Sequence, residues 1–159
     1  MIVVTSSSPN EGKSTTAINI ALALAEANHN VVLVDGDLRS PSVSEFLDLV
    51  GTAGFSTVLS GQASLSQVLQ KTNAPHLSVL TAGASPPNPS ELLGSLAAQK
   101  ILNELRENFE YVIIDSSPLL AVTDGAILSA NADGALVMLA IWPVPPEPCS
   151  RQIRFAQQQ

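Results

Sequence analysis

Three short aliphatic runs, each ended by a polar residue, constrain the fold of this chain more than any other feature. They cover residues 2–4, 31–34 and 111–114 and consist almost entirely of valine, isoleucine and leucine. Strands that are apolar on both faces are typical of parallel sheets with helices packed on either side. The runs therefore predict three buried strands. We also predict a strand over residues 77–80 and a fourth buried strand over residues 134–140.

Helical segments alternate with these strands. Residues 14–25 are rich in alanine and leucine and almost free of charge, which favours a buried helix. The other predicted helices span residues 44–49, 64–69, 89–109 and 124–130. Such alternation predicts parallel pairing through right-handed crossovers, with ligands at the carboxyl ends of the strands. We therefore expect one α/β domain with a mostly parallel sheet flanked by helices on both faces.

Composition narrows the classes of partner and compartment. The chain has 159 residues, 45% of them hydrophobic and 13% charged, which is typical of a globular domain. Its net charge of −7 argues against nucleic acid or an anionic membrane surface as a partner. The single cysteine, Cys149, excludes an internal disulfide and favours the reducing cytoplasm. The longest apolar run, residues 135–142, is far shorter than the ~20 residues of a membrane-spanning helix.

The segment between the first strand and the first helix matches a phosphate-binding loop. The pattern G-x-x-x-x-G-K-[ST] is met over residues 7–14, except that Ser7 replaces the first glycine. Backbone N–H groups of such a loop converge on phosphate at the amino end of a helix. Lys13 would reach the β- and γ-phosphates of a nucleoside triphosphate, and the Ser14 hydroxyl would enter the Mg²⁺ shell. The predicted nucleotide-binding residues are Ser8, Pro9, Asn10, Glu11, Gly12, Lys13, Ser14 and Thr15, with Arg39 added. The alternative is an ordinary loop with a helix N-cap.

Acidic residues follow two of the other strands. Asp115 is placed as a Walker B carboxylate, which holds Mg²⁺ through a water, although a turn would also accommodate it. Asp35 and Asp37 follow the second strand, with Arg39 two residues further on. Two carboxylates beside a metal–triphosphate site can orient the attacking hydroxyl and support the metal's water shell. The alternative for Asp35 and Asp37 is a solvated acidic turn. Asp124, further along the chain, is interpreted as a helix N-cap.

These residues resemble the bacterial tyrosine kinases, P-loop kinases of capsule and exopolysaccharide synthesis. The resemblance covers about residues 1–140 and rests on five stretches. These are residues 5–15, 31–41, 113–118 and 122–124, and the connector at residues 83–93. The second stretch carries the apolar-D-x-D-x-R pattern that distinguishes the family from other P-loop proteins. The resemblance implies a P-loop NTPase-like fold and an ATP-dependent protein-tyrosine kinase.

The resemblance also implies roles and partners. Asp35 and Asp37 would be the catalytic carboxylates together with Lys13, with Asp35 nearest the attacking tyrosine hydroxyl. Ser14, Asp37 and Asp115 would belong to the Mg²⁺ site. The implied partners are a membrane-spanning chain-length regulator and protein tyrosine substrates. The protein would then work in the cytoplasm, at the inner face of the plasma membrane when bound to that regulator.

The two ends of the chain depart from the family pattern. We expect residues 1–140 to form the kinase-like domain without the family's amino-terminal helix and carboxyl-terminal strands. Residues 141–159 are predicted to form a proline- and glutamine-rich tail, as in a truncated product. Tyr111 is the only tyrosine, so autophosphorylation of a terminal tyrosine cluster is not expected. Homo-oligomerisation stays open.

Two other functions compete with the kinase. A partitioning-type ATPase of the same superfamily would carry a lysine five residues before the Walker lysine, where this chain has Ser8. A non-catalytic nucleotide-binding remnant would keep the fold and the membrane partner but transfer no phosphate. Phosphorylation of a tyrosine peptide separates the kinase from both alternatives.

Overall fold

The computed structural model describes residues 1–140, and the predicted tail at 141–159 lies outside them. The strands are β1 (Ile2–Ser6), β2 (Val31–Asp35), β3 (Gln70–Lys71), β4 (Leu77–Leu80), β5 (Tyr111–Asp115) and β6 (Gly134–Met138). The helices are α1 (Lys13–Glu26), α2 (Val43–Phe46), α3 (Phe55–Leu59), α4 (Leu65–Val68), α5 (Pro89–Leu93), α6 (Leu96–Asn108) and α7 (Asp124–Ala130).

The strands form one six-stranded sheet in the order β3-β4-β2-β5-β1-β6. All neighbours pair in parallel except β3 and β4, which pair antiparallel. The predicted α/β fold with a mostly parallel sheet is thus confirmed. In the register of the sheet, Asp35 lies beside Asp115 on neighbouring strands, and Val4 pairs with Asp115 on the other side. The order therefore brings the ends of β2, β5 and β1 together at one edge.

Two hydrophobic clusters cover the two faces of the sheet. One face packs against α1, through Ala17, Ile18, Ala21 and Ala25. The other face packs against α3 to α7, with Phe55, Leu102, Leu105 and Leu128 fully or almost fully buried. Because both faces of β2 and β5 are covered, these strands can be continuously apolar. No helix within residues 1–140 is long and apolar enough to cross a membrane.

Several predicted elements differ from the structure. The helix predicted over residues 89–109 is two helices, because Gly94 ends α5 and Ser95 caps α6 by accepting a hydrogen bond from the Ala98 N–H at 3.2 Å. The helix predicted over 44–49 begins at Val43 and ends at Phe46. Helix α3 and the two-residue strand β3 were not predicted.

The prediction of a buried strand over residues 134–140 is wrong in its burial. The strand exists as β6, but it lies at an edge of the sheet and pairs only with β1 among the described strands. Four of its five residues are exposed, including Leu136 and Val137. The apolar composition predicted the strand correctly, whereas burial depends on the strand order, which composition does not determine.

Candidate nucleotide-binding site

The loop between β1 and α1 is built for close backbone approach to a ligand. Asn10 and Gly12 have φ angles of 64° and 82°, in the left-handed region, and Gly12 leads directly into α1. A Cβ added at Gly12 would meet nothing within 4 Å, so its conformation rather than crowding favours glycine. Helix α1 then presents its free N–H groups and the positive end of its dipole to this loop.

Glu11 holds the loop in shape. Its carboxylate accepts hydrogen bonds from the Ser7 hydroxyl at 2.8 Å and from the Ser8 N–H at 2.7 Å. These contacts hold the pKa of Glu11 below its usual value, the Ser8 N–H contributing most. Glu11 and Ser8 do not line the cavity that adjoins the loop. Ser7, which replaces the first Walker glycine, thus has a hydrogen-bonding role.

Lys13 connects the loop to the acidic strand ends. Its ammonium lies 3.0 Å from Asp37 Oδ2 and 3.8 Å from Asp115 Oδ2, and it donates to the Ser14 hydroxyl at 3.2 Å. The Lys13 side chain is only 12% exposed, and those of Asp37 and Asp115 are buried. The structure therefore brings together four of the residues predicted for phosphate and metal binding.

Asp115 has the environment of a metal-site carboxylate. It is fully buried, and neither of its side-chain oxygens has a hydrogen-bond partner among the described residues. Burial raises its pKa from 3.8 to about 6, against the opposing effect of the nearby Lys13 charge. An unpartnered buried carboxylate beside a serine hydroxyl suits Mg²⁺, which prefers oxygen ligands and keeps several waters. Within residues 1–140 no cluster of three His, Cys, Asp or Glu side chains could hold a metal alone. Phosphate oxygens and water would have to complete the shell.

Asp35 and Asp37 occupy different environments although they are two residues apart. Asp35 is fully buried and accepts hydrogen bonds from the Asp37 N–H at 3.2 Å and from the Val43 N–H at 3.1 Å. Burial, followed by the nearby Asp115 charge, raises the pKa of Asp35 to about 7. Asp37 accepts hydrogen bonds from the Ser117 hydroxyl at 2.8 Å and from the Ser40 N–H at 3.1 Å, and it lines the cavity. Asp35 does not line it.

Arg39 is partly exposed and also makes contacts with two protein side chains. Its Nε donates to Asp124 Oδ2 at 2.7 Å, and a terminal nitrogen donates to the Ser90 hydroxyl at 3.0 Å. Ser90 also donates to Asp124. The N-cap interpretation of Asp124 is wrong, because Thr123 occupies that position and Asp124 is the buried first residue of α7. The D-x-D-x-R motif is thereby joined to two helices distant in sequence.

The phosphate loop, Asp37, Arg39 and Ser117 border a cavity of about 880 Å³ at the carboxyl edge of the sheet. Of the predicted nucleotide-binding residues, Pro9, Asn10, Gly12, Lys13, Ser14, Thr15 and Arg39 line it. Ser117 and Ser90 were not among the predicted site residues. Ser117 follows Asp115 closely, so its proximity to the strand ends was the available signal, whereas Ser90 is brought in by the fold alone.

The fold, the loop and the paired acids define the class of the protein as a P-loop NTPase-like domain. In agreement, the family model described as an AAA domain matches residues 1–144. The chain is 42% identical over 139 residues to the tyrosine-protein kinase YwqD of Bacillus subtilis, covering 87% of this chain and 59% of that relative. It is 39% identical over 160 residues to the tyrosine-protein kinase CpsD of Streptococcus pneumoniae serotype 4, covering all of this chain and 69% of that relative.

A solved structure shows the same relationship. The kinase domain of the Escherichia coli tyrosine kinase ETK matches with a TM-score of 0.86 and 27% identity, covering 99% of this chain and 62% of that chain. The chain belongs to the family of bacterial tyrosine kinases. The resemblance inferred from the five sequence stretches is thereby confirmed. The chain spans about three fifths of the length of the Bacillus relative.

Proposed function

We propose that this chain binds ATP with Mg²⁺ and transfers the γ-phosphate to the hydroxyl of a protein tyrosine. The observation that carries the proposal is the position of Lys13, which lies between Asp37 and Asp115 at the foot of the phosphate loop. The Asp115 oxygens have no hydrogen-bond partner among the described residues. A lysine placed there is suited to the β- and γ-phosphates. The names of the related tyrosine kinases support the choice of tyrosine as acceptor.

Triphosphate binding would replace the contacts that Lys13 makes in the ligand-free site. Loop N–H groups at the start of α1 would receive the β-phosphate, and the Lys13 ammonium would turn from Asp37 toward the β- and γ-oxygens. Asp37 and Asp115 would then lose the positive charge of Lys13. A metal ion that accompanied the nucleotide would replace that charge. Ser14, Asp37 and Asp115 would hold Mg²⁺, which when bound neutralises charge that develops on the transferred phosphoryl group.

Asp35 is the proposed acceptor of the tyrosine proton. A pKa of about 7 is suited to a general base at neutral pH. Asp35 is buried, is bound to two backbone N–H groups and does not line the cavity of the ligand-free structure. Asp37 already lines the cavity and is the competing assignment. In either assignment catalysis comes from positioning and charge neutralisation.

The cellular setting of this activity is part of the same proposal. The resemblance to the kinases of capsule and exopolysaccharide synthesis favours a role in that synthesis, with a membrane-spanning regulator as activator. Such a partner would place the domain at the cytoplasmic face of the plasma membrane. Homo-oligomerisation belongs with that assembly and is testable by adding the regulator's cytoplasmic segment to the purified chain.

A kinase assay with ATP, Mg²⁺ and a tyrosine-bearing peptide tests the proposal. Wild-type protein should form phosphotyrosine, and Lys13→Ala should not. Asp35→Asn should abolish transfer while leaving nucleotide affinity nearly unchanged, with circular dichroism as the check on folding. If Asp37→Asn abolished transfer and Asp35→Asn did not, the proton acceptor would be Asp37. A folded wild-type protein that binds ATP but forms no phosphotyrosine with peptide or regulator would instead support the non-catalytic alternative.

A further inference from the structure

The cavity continues beyond the phosphate loop along an apolar wall that the binding of ATP and Mg²⁺ does not require. Phe46 of α2 lines it, together with Pro118, Ala121 and Val122. Phe46 is 61% exposed and is the one aromatic residue among the exposed large hydrophobic residues of the described chain. A phenylalanine exposed inside a cavity, rather than packed in the core, is suited to contact with an aromatic ligand.

Helix α2 is fixed relative to the acidic strand end, so the position of Phe46 is set by the site. The Val43 N–H donates to Asp35 Oδ2 at 3.1 Å, and the Val43 side chain is fully buried in the core. Phe46 follows Val43 by three residues, about one turn of helix. The aromatic ring is therefore held near the two catalytic candidates Asp35 and Asp37.

The phosphate end of the cavity indicates which aromatic group belongs at Phe46. The Lys13 ammonium, which addresses the β- and γ-phosphates, lies 3.0 Å from Asp37, so the acids mark the γ-phosphate end of ATP. Because α2 is bound to Asp35, two residues before Asp37, and because Phe46 and Asp37 line the same cavity, Phe46 belongs to that same end. The nucleoside lies at the other end of the triphosphate chain, whereas the acceptor hydroxyl must approach the γ-phosphate.

We propose that Phe46, together with the wall of Pro118, Ala121 and Val122, binds the ring of the acceptor tyrosine and directs its hydroxyl toward Asp35 and Asp37. This inference rests on the proposed kinase function and adds the residue that recognises the acceptor side chain. Serine and threonine have no ring to fill this space. The wall thus selects tyrosine by its aromatic surface, and the acids act on its hydroxyl.

Steady-state kinetics of Phe46→Ala test the proposal, with a peptide carrying one tyrosine among glycines and serines as acceptor. We expect the KM for peptide to rise about tenfold, since an aromatic contact and its burial are lost, and the KM for ATP to stay within about twofold. Phe46→Tyr should restore the peptide KM. Val50→Ala is the matched control, because Val50 is 63% exposed and does not line the cavity. An unchanged peptide KM, or an equal rise in the KM for ATP, would overturn the assignment.

A binding measurement keeps this test separate from the kinase activity itself. In saturation-transfer NMR with Mg²⁺ and a non-hydrolysable ATP analogue, N-acetyl-tyrosinamide should bind wild type and Val50→Ala but not Phe46→Ala. N-acetyl-serinamide should bind none of them. If wild type forms no phosphotyrosine, the kinase proposal fails while this measurement still decides the role of Phe46. Equal tyrosinamide signals from wild type and Phe46→Ala would show that the ring binds elsewhere or not at all.

Discussion

Replacing Asp115 by asparagine should separate the stability of the domain from its metal site. Burial raises the pKa of Asp115 from 3.8 to about 6. Each unit of pKa corresponds to about 1.4 kcal/mol, so the ionised carboxylate costs the folded state about 3 kcal/mol. Between pH 4 and 6 the folded protein holds a proton that the unfolded chain releases. The contribution of Asp115 to the free energy of unfolding therefore falls as pH rises through this interval.

The variant Asp115→Asn cannot ionise at this position and lacks that part of the pH dependence. Its free energy of unfolding, relative to wild type, should rise by about 3 kcal/mol between pH 4 and pH 7. A buried amide without a partner costs about 1–3 kcal/mol, so the net stabilisation at pH 7 is smaller. That amide cost is independent of pH. The quantity to measure is therefore the change with pH in the difference in free energy of unfolding between Asp115→Asn and wild type.

Urea unfolding of the ligand-free protein in EDTA, at several values between pH 4.5 and 7.5, measures this difference. Asp133→Asn is the control, because the contribution of Asp133 to the free energy of unfolding changes with pH in the opposite direction. The terminal amine of Met1 and, less strongly, Arg106 lower the pKa of Asp133, so its carboxylate stabilises the protein above its unfolded pKa. A difference between Asp115→Asn and wild type that stays flat across the series would refute the reasoning. The same variant should bind Mg²⁺–ATP less tightly, as measured by calorimetry.

Three further outcomes are expected. Lys13→Ala should weaken ATP binding at least about tenfold in calorimetric titration, because a charged hydrogen-bond donor to phosphate is lost, and equal affinities would count against the phosphate loop. Gly54→Ala should destabilise the domain by about 3 kcal/mol, because the added Cβ would lie 2.0 Å from a backbone carbonyl oxygen. Thermal unfolding of both variants measures this effect. Gly134→Ala is the control and should leave stability nearly unchanged, because a Cβ added at Gly134 would meet nothing within 4 Å. Arg39→Lys and Asp124→Asn should raise the KM for ATP non-additively in a double-mutant cycle, since the two side chains form one contact.

The central strands and the acids at their ends could be predicted from the sequence because that information is local. Residues 31–34 and 111–114 are apolar on both faces, which only a strand inside a covered sheet explains. Parallel pairing then places Asp35 and Asp115 at one edge without knowledge of the strand order. The loop–helix junction at Lys13 was equally local. These parts of the site follow from short sequence patterns and from the right-handed crossovers that join parallel strands.

Other features depend on contacts between residues far apart in the chain. Arg39 and Asp124 are separated by 85 positions, and nothing near either residue indicates the other. The exposed side of β6 depends on its place at the end of the sheet, which its composition does not encode. The break at Gly94 and Ser95 could have been read from a C-cap glycine followed by a capping serine. The apolar residues around it favoured one long helix instead.

The two edges of the sheet differ in their capacity for further pairing. One edge ends in β3, which has two residues, runs antiparallel and carries Lys71, features that blunt strand addition. The other ends in β6, beyond which the described chain places no strand. Self-association by strand addition at the β3 edge is therefore disfavoured, and fibril growth through that edge is not expected.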